Sequence, residues 1–351
     1  MNVPRETRES RAVEPDRRHG LLTAKLTALV TAGWRAGELS EAGRTAVPFP
    51  GAAGLLAGGT GWVLVEDAPA RALGPALLWA GRAGVDRLHV LVEAEAEAGR
   101  LARRATTFAR APRVWQVRGR AVTLATPEPI GPAPRLGAET SGWVDQLRAA
   151  GAEPVVEAGV LTGEVLGLEV ARVVSDAEGS RLEVGVGKHD RHAQRIMGGD
   201  VPTQAALVAA VAAVREHRRA GAPHHPLNRL ASERWLRAIV VERPAQVGAA
   251  HLAPVPSLVG RDDLRQHAPA PAAGVDGRGR PLLVVCSTGI DLDLVPAAAD
   301  ARLADGRGPR LVLVVPECDD HPVHRSLSAL LVEPAEVRTV PDDWRSLASL
   351  P

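Results

Sequence analysis

Apolar residues in this chain gather in short unbroken runs separated by stretches of helical period, the pattern of strands buried on both faces that alternate with helices. Near the C-terminal end, 282–285 (Leu-Leu-Val-Val) reads as a strand that leads into an acidic loop, Ser287-Thr-Gly-Ile-Asp-Leu-Asp293, and then a helix from Pro296. A second strand over 311–315, a second acidic loop at Glu317-Cys-Asp-Asp-His321, a helix and a third strand over 337–340 complete a βαβαβ unit. Open α/β sheets place ligands just past the carboxyl ends of their strands, and both acidic loops lie there.

The N-terminal third repeats this order. Leu21, Leu22, Leu26, Leu29 and Val30 recur at helical spacing up to Trp34, and Pro48-Phe-Pro-Gly51 then breaks the chain. Strands over 62–65, 88–92 and 114–117 alternate with helices over 71–83 and 97–110. The Arg310 strand lies 223 positions after the similar strand at Arg87, Pro296-Ala297 lie 221 after Pro75-Ala76, and Glu333-Pro334 lie 222 after Ala111-Pro112. The expected architecture is therefore α/β, two diverged tandem βαβαβ units with an α+β segment of antiparallel strands and helices between them. Acids follow the strands in both units, at Glu66, Asp67 and Glu93 in the first and at Asp291, Asp293 and Glu317 in the second.

Four segments follow from this pattern: a charged, disordered arm over 1–19, a first α/β unit over 20–125, a Pro-rich linker over 126–136, and a second unit with its preceding segment over 137–351. Within the last, the spacing predicts a helix over 141–150 and two or three strands in a meander over 154–161, 164–174 and 181–186. Leu166, Leu168 and Val170 alternate with Gly167, Glu169 and Ala171, as in one half-buried strand. Helices over 202–219 and 226–241 follow, and 244–280 reads as a connector rich in Pro, Gly and His.

Composition narrows the partners rather than the function. The chain has 351 residues, 45% of them hydrophobic, which is enough for a sizeable core and about two domains. Lys plus Arg (42) nearly equals Asp plus Glu (41), so nucleic acid would need a local patch and no field draws the chain to an anionic membrane. Two cysteines and no apolar run of membrane-spanning length point to reduced thiols in a cytoplasmic protein. A protein partner or homo-oligomer stays open. Tyr is absent and Lys occurs only at Lys25 and Lys188, whereas Ala, Gly, Arg and Val are abundant. Such a bias strips the arginine count of meaning and gives Lys188 weight.

Several clusters carry candidate chemistry. Asp291, Asp293, Glu317, Asp320 and His321 offer oxygen and nitrogen ligands at two neighbouring strand ends, a candidate site for magnesium or another divalent metal that activates water. The competing reading makes the same acids solvated helix starts, with His324 exposed. Lys188, His189, Asp190, Arg191 and His192 follow Gly185-Val-Gly187 and would hold phosphate or another anion, or else form a solvated turn. His224 and His225 stand before a Pro226 helix start, and Cys286 reads as a buried strand residue rather than a nucleophile.

The succession of helix, antiparallel strands, helices, strand, helix and strand resembles the core of the restriction-endonuclease-like PD-(D/E)XK nuclease superfamily. In that family an acid on one strand and a Glu-x-Lys on the next bind magnesium and polarise the attacking water. Here the corresponding strand is Arg181-Leu-Glu-Val-Gly-Val-Gly-Lys188, with Glu183 and Lys188 as the candidate catalytic pair beside Asp291 and Asp293. Glu183 and Lys188 are five positions apart and project to opposite faces of a regular strand, so the motif is incomplete. The resemblance implies a degenerate nuclease-like protein that acts on or binds nucleic acid phosphodiesters, in which Glu164 or Glu169 converges with Glu183 and Lys188. A small-molecule or nucleotide-binding module and a structural or protein-interaction role are the alternatives, so catalysis itself is left open.

Overall fold

In the computed structural model, residues 15–34, 44–131, 140–157, 159–176, 179–187, 190–191, 203–261 and 263–347 are described. Lys188, His189 and the later residues of that basic cluster from His192 lie outside them, as does most of the N-terminal arm. The chain divides into compact units at Glu128 and Pro129, inside the expected Pro-rich linker.

The first unit begins with helix α1 (Pro15–Gly33), which starts within the segment expected to be a disordered arm. Strands β1 (Arg44–Ala46), β2 (Ala52–Ala57), β3 (Thr60–Val65), β4 (Arg87–Val92), β5 (Arg113–Arg118) and β6 (Ala121–Leu124) form one sheet in that order. β3, β4 and β5 run parallel, joined through α2 (Leu73–Arg82) and α3 (Glu95–Ala105), while β1, β2 and β6 pair antiparallel. Leu22, Leu26, Leu29 and Val30 of α1 pack on Trp62, Leu64 and Leu91, and α2 and α3 lie against β4 and β5. The sheet is therefore covered on both sides, and that is why its central strands read as unbroken apolar runs. Sequence patterning missed β1, β2 and β6 because they are short or built from Ala and Gly, which give no period-two signal.

In the second unit, β7 (Glu153–Glu157), β8 (Val160–Val165), β9 (Leu168–Asp176) and β10 (Gly179–Val184) form a four-stranded antiparallel sheet in the order β10-β9-β8-β7. Helices α4 (Ser141–Ala149) and α5 (Thr203–His217) cover it through Leu147, Leu207, Val211 and Val214. The expected single strand over 164–174 is two strands, because Leu166 (φ 46°) and Gly167 (φ 74°) both take positive φ and turn the chain back on itself. A two-residue loop of that kind closes a tight hairpin whose twist suits the strands it joins.

A five-stranded sheet follows, β11 (Ala249–Pro254), β12 (Ala270–Asp276), β13 (Pro281–Cys286), β14 (Arg310–Pro316) and β15 (Glu336–Val340), again in sequence order. β13, β14 and β15 are parallel, with α7 (Leu294–Asp305) and α8 (Pro322–Ser328) in the crossovers, and β11 and β12 are antiparallel. Helix α6 (Ser232–Glu242) packs Trp235, Leu236, Ile239 and Val240 on Leu282, Val284, Cys286, Val312 and Val314. The expected helix over 226–241 is a 3-10 turn (Pro226–Arg229) and then α6, divided by Ala231 at φ 45°. The expected connector over 244–280 contains β11 and β12. Their small residues hid them: a Cβ on Gly274 would lie 1.9 Å from the His251 carbonyl oxygen, so the close β11–β12 approach needs glycine there.

Candidate anion-binding site

The Leu166–Gly167 turn sets the register of β8 on β9, and a β-bulge after Gly163 places Glu164 directly opposite Glu169. Both glutamates are buried, Glu164 at 3% exposure and Glu169 at 4%. Two buried carboxylates side by side need cations, and arginines supply them from different elements. Arg234 and Arg237, one turn apart on α6, bind the two oxygens of Glu164 at 3.0 and 2.8 Å. Arg172 grips Glu169 with a two-pronged contact at 2.8 and 3.0 Å, and Arg191 adds a third bond at 2.6 Å. Arg234 also reaches Glu157 at 3.3 Å.

Beside this network lies a cavity of about 590 Å³ between the four-stranded sheet and the 257–265 segment. Five arginines (Arg172, Arg191, Arg234, Arg261 and Arg265) line it against three carboxylates (Glu157, Glu169 and Asp263). Burial lowers the Arg261 pKa, with neighbouring Arg234 acting in the same direction. Its Nη2 donates to Glu233 Oε2 at 3.3 Å and to the Ala268 carbonyl at 3.2 Å, whereas its buried Nε and Nη1 have no partner. Burial also lowers the Arg191 pKa, against the pull of Glu169. At Arg234 burial is outweighed by Glu164, Glu157 and Glu169, and the pKa rises. Five guanidinium groups against three carboxylates leave the wall with more cationic than anionic side chains.

The sequence-derived candidates fall in three places. Glu183 sits on β10 opposite Arg172, with Arg181 Nη2 at 3.2 Å, and it acts on Arg191 only through its charge. Lys188 lies outside the described residues, although Gly187 and Arg191 on either side of it line the cavity. Asp291 and Asp293 are buried in the turn that opens α7, where Asp291 Oδ1 accepts the Asp293 N–H at 2.9 Å. Glu317 is exposed, Asp320 is paired with Arg325, and His321 Nδ1 accepts the Val323 N–H at 3.2 Å to cap α8. His324, read as solvated in the bland alternative, is fully buried beside Asp291, and burial lowers its pKa.

Among the described residues no three His, Cys, Asp or Glu side chains gather in a metal-holding group. The acids that do converge, Glu164 and Glu169, already have their oxygens bound by guanidinium groups, so magnesium does not fit there. Sequence reasoning named Glu164, Glu169 and, in the basic cluster after Gly187, Arg191, but passed over Arg172, Arg234, Arg237 and Arg261, whose abundance as a residue type hid them. The available signal was the i, i+3 pair Arg234 and Arg237 inside the apolar run Trp235-Leu236-Ala238-Ile239 of α6.

Comparison with protein-family models, with curated proteins and with solved structures returns no match for this chain. Among the described residues no helix is long and apolar enough to cross a membrane.

Proposed function

We propose that this chain binds a phosphate-bearing small molecule of nucleotide size in the arginine-lined cavity beside the β8–β9 hairpin. The observation that carries this is the cavity's lining, where five arginines stand against three carboxylates. A phosphate group offers acceptor oxygens to guanidinium donors. A volume of about 590 Å³ falls within the range of small-molecule sites. Glu164 and Glu169, the acids that converge at the hairpin, have their oxygens bound by guanidinium groups, which suits anion binding at the arginines around them.

A second reading, a nuclease-like scaffold that binds phosphodiesters without a metal centre, is favoured by the strand orders. β1-β2-β3-β4-β5 and β11-β12-β13-β14-β15 share one sequence of antiparallel and parallel pairings, each behind a helix that covers one face. His89 pairs with Arg113 as Val312 pairs with Glu336, so both residues of the pair keep one offset. The same correspondence is the ground for reading the two layers as duplicated copies.

Calorimetric titration with ATP, pyrophosphate and a short single-stranded oligonucleotide, with and without magnesium, tests both readings. Saturable ATP binding weakened at least tenfold by Arg261→Gln and Arg265→Gln is the expected result. Binding of the oligonucleotide alone would favour the phosphodiester reading, and binding untouched by either substitution would remove this cavity from both.

A further inference from the structure

The two partly parallel sheets end differently. In the first, β5 pairs with β4 on one side and with the antiparallel strand β6 on the other. In the five-stranded sheet β15 holds the place of β5, pairs with β14 and ends the order. Among the described residues no hydrogen bond outside the β14 ladder reaches the main chain of Glu336–Val340. Alternate N–H and C=O groups of β15 therefore point away from the sheet, and such a row is a template for a further strand.

Other edges carry features that block such pairing. β11 has a bulge between Ala249 and His251 and ends in Pro254, and β7 contains Pro154. β15 has neither bulge nor proline. Like charges along an edge would repel a second copy, but Glu336 and Arg338 have opposite signs, stand two positions apart at 41% and 32% exposure, and bind each other at 2.6 Å. A strand that pairs antiparallel with its own copy across a two-fold axis sets one residue opposite itself. With Val337 on that axis, Glu336 of each copy faces Arg338 of the other, and opposite charges across a pair stabilise it. With Glu336 or Arg338 on the axis like charges meet, and with Thr339 there Pro341, which has no N–H, falls opposite Val337. Leu330 (42% exposed) and Val332 (63%) on the turn that enters β15 add apolar surface beside the edge.

We propose that the outer edge of β15 pairs antiparallel with β15 of a second copy of this chain, with Val337 on the two-fold axis, so that two five-stranded sheets join into one continuous sheet. An edge of five residues buries little area, so the dimer is weak and reversible. The proposal stands independently of the arginine-lined cavity, whose lining includes no residue of β15.

The test is sedimentation equilibrium of the full chain between about 5 and 500 µM, the range in which a small interface assembles. The expected result is a monomer–dimer equilibrium in the wild type, weakened about tenfold or more by Glu336→Arg and by Arg338→Glu, each of which gives both positions one sign. An equimolar mixture of the two variants should form a heterodimer, because every charge then meets its opposite. Both side chains are partly exposed and their ion pairs lie at the surface, so each variant should keep the wild-type urea midpoint closely. In the wild type, hydrogen exchange of the amides over 335–339 should slow with protein concentration along the same association curve. A wild type that stays monomeric throughout, dimers indifferent to both single replacements, or a mixture that does not associate overturns the proposal. Exchange in β15 that ignores concentration overturns it as well, whatever the variants do.

Discussion

Glu164 and Glu169 face each other across the β8–β9 hairpin, both buried, and their four strong guanidinium contacts tie two strands, α6 and the segment after β10 into one network. The two pairs are not equivalent. Glu164 is held by Arg234 and Arg237, at 8% and 1% exposure, whereas Glu169 shares Arg172, which is 37% exposed. Removing the charge of Glu164 strands two buried cations, so Glu164→Gln should lower stability by about 3–5 kcal/mol. Glu169→Gln should lose less, because it strands one buried cation, Arg191, while the more exposed Arg172 can turn to water. The double replacement Glu164→Leu/Arg237→Met should recover much of the single-variant loss. Urea unfolding at neutral pH measures all three, and equal losses for the two single glutamate variants would contradict the network.

The turn that creates this register is itself testable. Gly167 has φ 74°, and a Cβ there would lie 2.2 Å from the backbone carbonyl carbon of Arg234. Nothing flexible can move aside, since the obstacle is the main chain of α6. Gly167→Ala should therefore destabilise the second unit by about 3 kcal/mol or more, combining positive-φ strain with a backbone clash. Gly81 in α2 has nothing within 4 Å, and Gly81→Ala should stabilise by about 0.5–1 kcal/mol. Thermal or urea unfolding of the two variants gives opposite signs if the geometry holds.

How much of this was legible in the sequence depended on which period each segment displayed. Strands such as 311–315 and 88–92, apolar on both faces, were visible as runs, and their order foretold the parallel layers. β11 and β12 were invisible because Ala, Gly and Pro carry little hydrophobic contrast. The β8–β9 hairpin was misread for a sharper reason: Leu166 and Gly167 continue the alternation of their neighbours while their backbones reverse direction. Asp291 and Asp293 were correctly placed at a strand end, but burial and the Asp291–Asp293 turn bond were not readable from spacing. Apart from Arg191, the arginines of the cavity were discounted by abundance, and only three-dimensional placement separates Arg237, paired with Glu164, from Arg218, which donates to main-chain carbonyls.

In the first unit, His89 reports on acid stability. It stacks between Trp62 and Trp115 with ring centroids 5.6 and 5.8 Å away, and its Nδ1 accepts a hydrogen bond from Trp115 Nε1 at 2.9 Å. Burial, aided by Arg113 and Arg87, lowers its pKa from 6.5 to about 4. The unfolded chain therefore takes up the proton first. The stabilisation is complete above pH 6.5 and is lost as pH falls towards 4, a change on the order of 2 kcal/mol after solvent screening. His89→Gln, which keeps an acceptor for Trp115, should flatten the stability profile between those values. A wild-type and a variant profile that run parallel in that window would reject the assignment.

The two cysteines should differ sharply in reactivity, because only one can present a thiolate. Cys286 is buried in β13 and its pKa is pushed up to about 12 by burial, so it should resist thiol reagents until the second unit unfolds. Cys318 is exposed, but a hydrogen bond to Asp342, slight burial and the nearby Asp319 charge raise its pKa. Asp342 Oδ1 also accepts the Cys318 N–H at 2.7 Å, and Asp342→Asn preserves that acceptor while deleting the charge. The substitution should raise the thiolate fraction at pH 8 and speed labelling several-fold, without a change in the number of thiols modified in the native protein. Stopped-flow labelling with a chromogenic disulfide reagent reads both quantities. One fast native thiol in wild type and variant, with the faster rate in Asp342→Asn, is the expected result; two fast native thiols would place Cys286 outside the core.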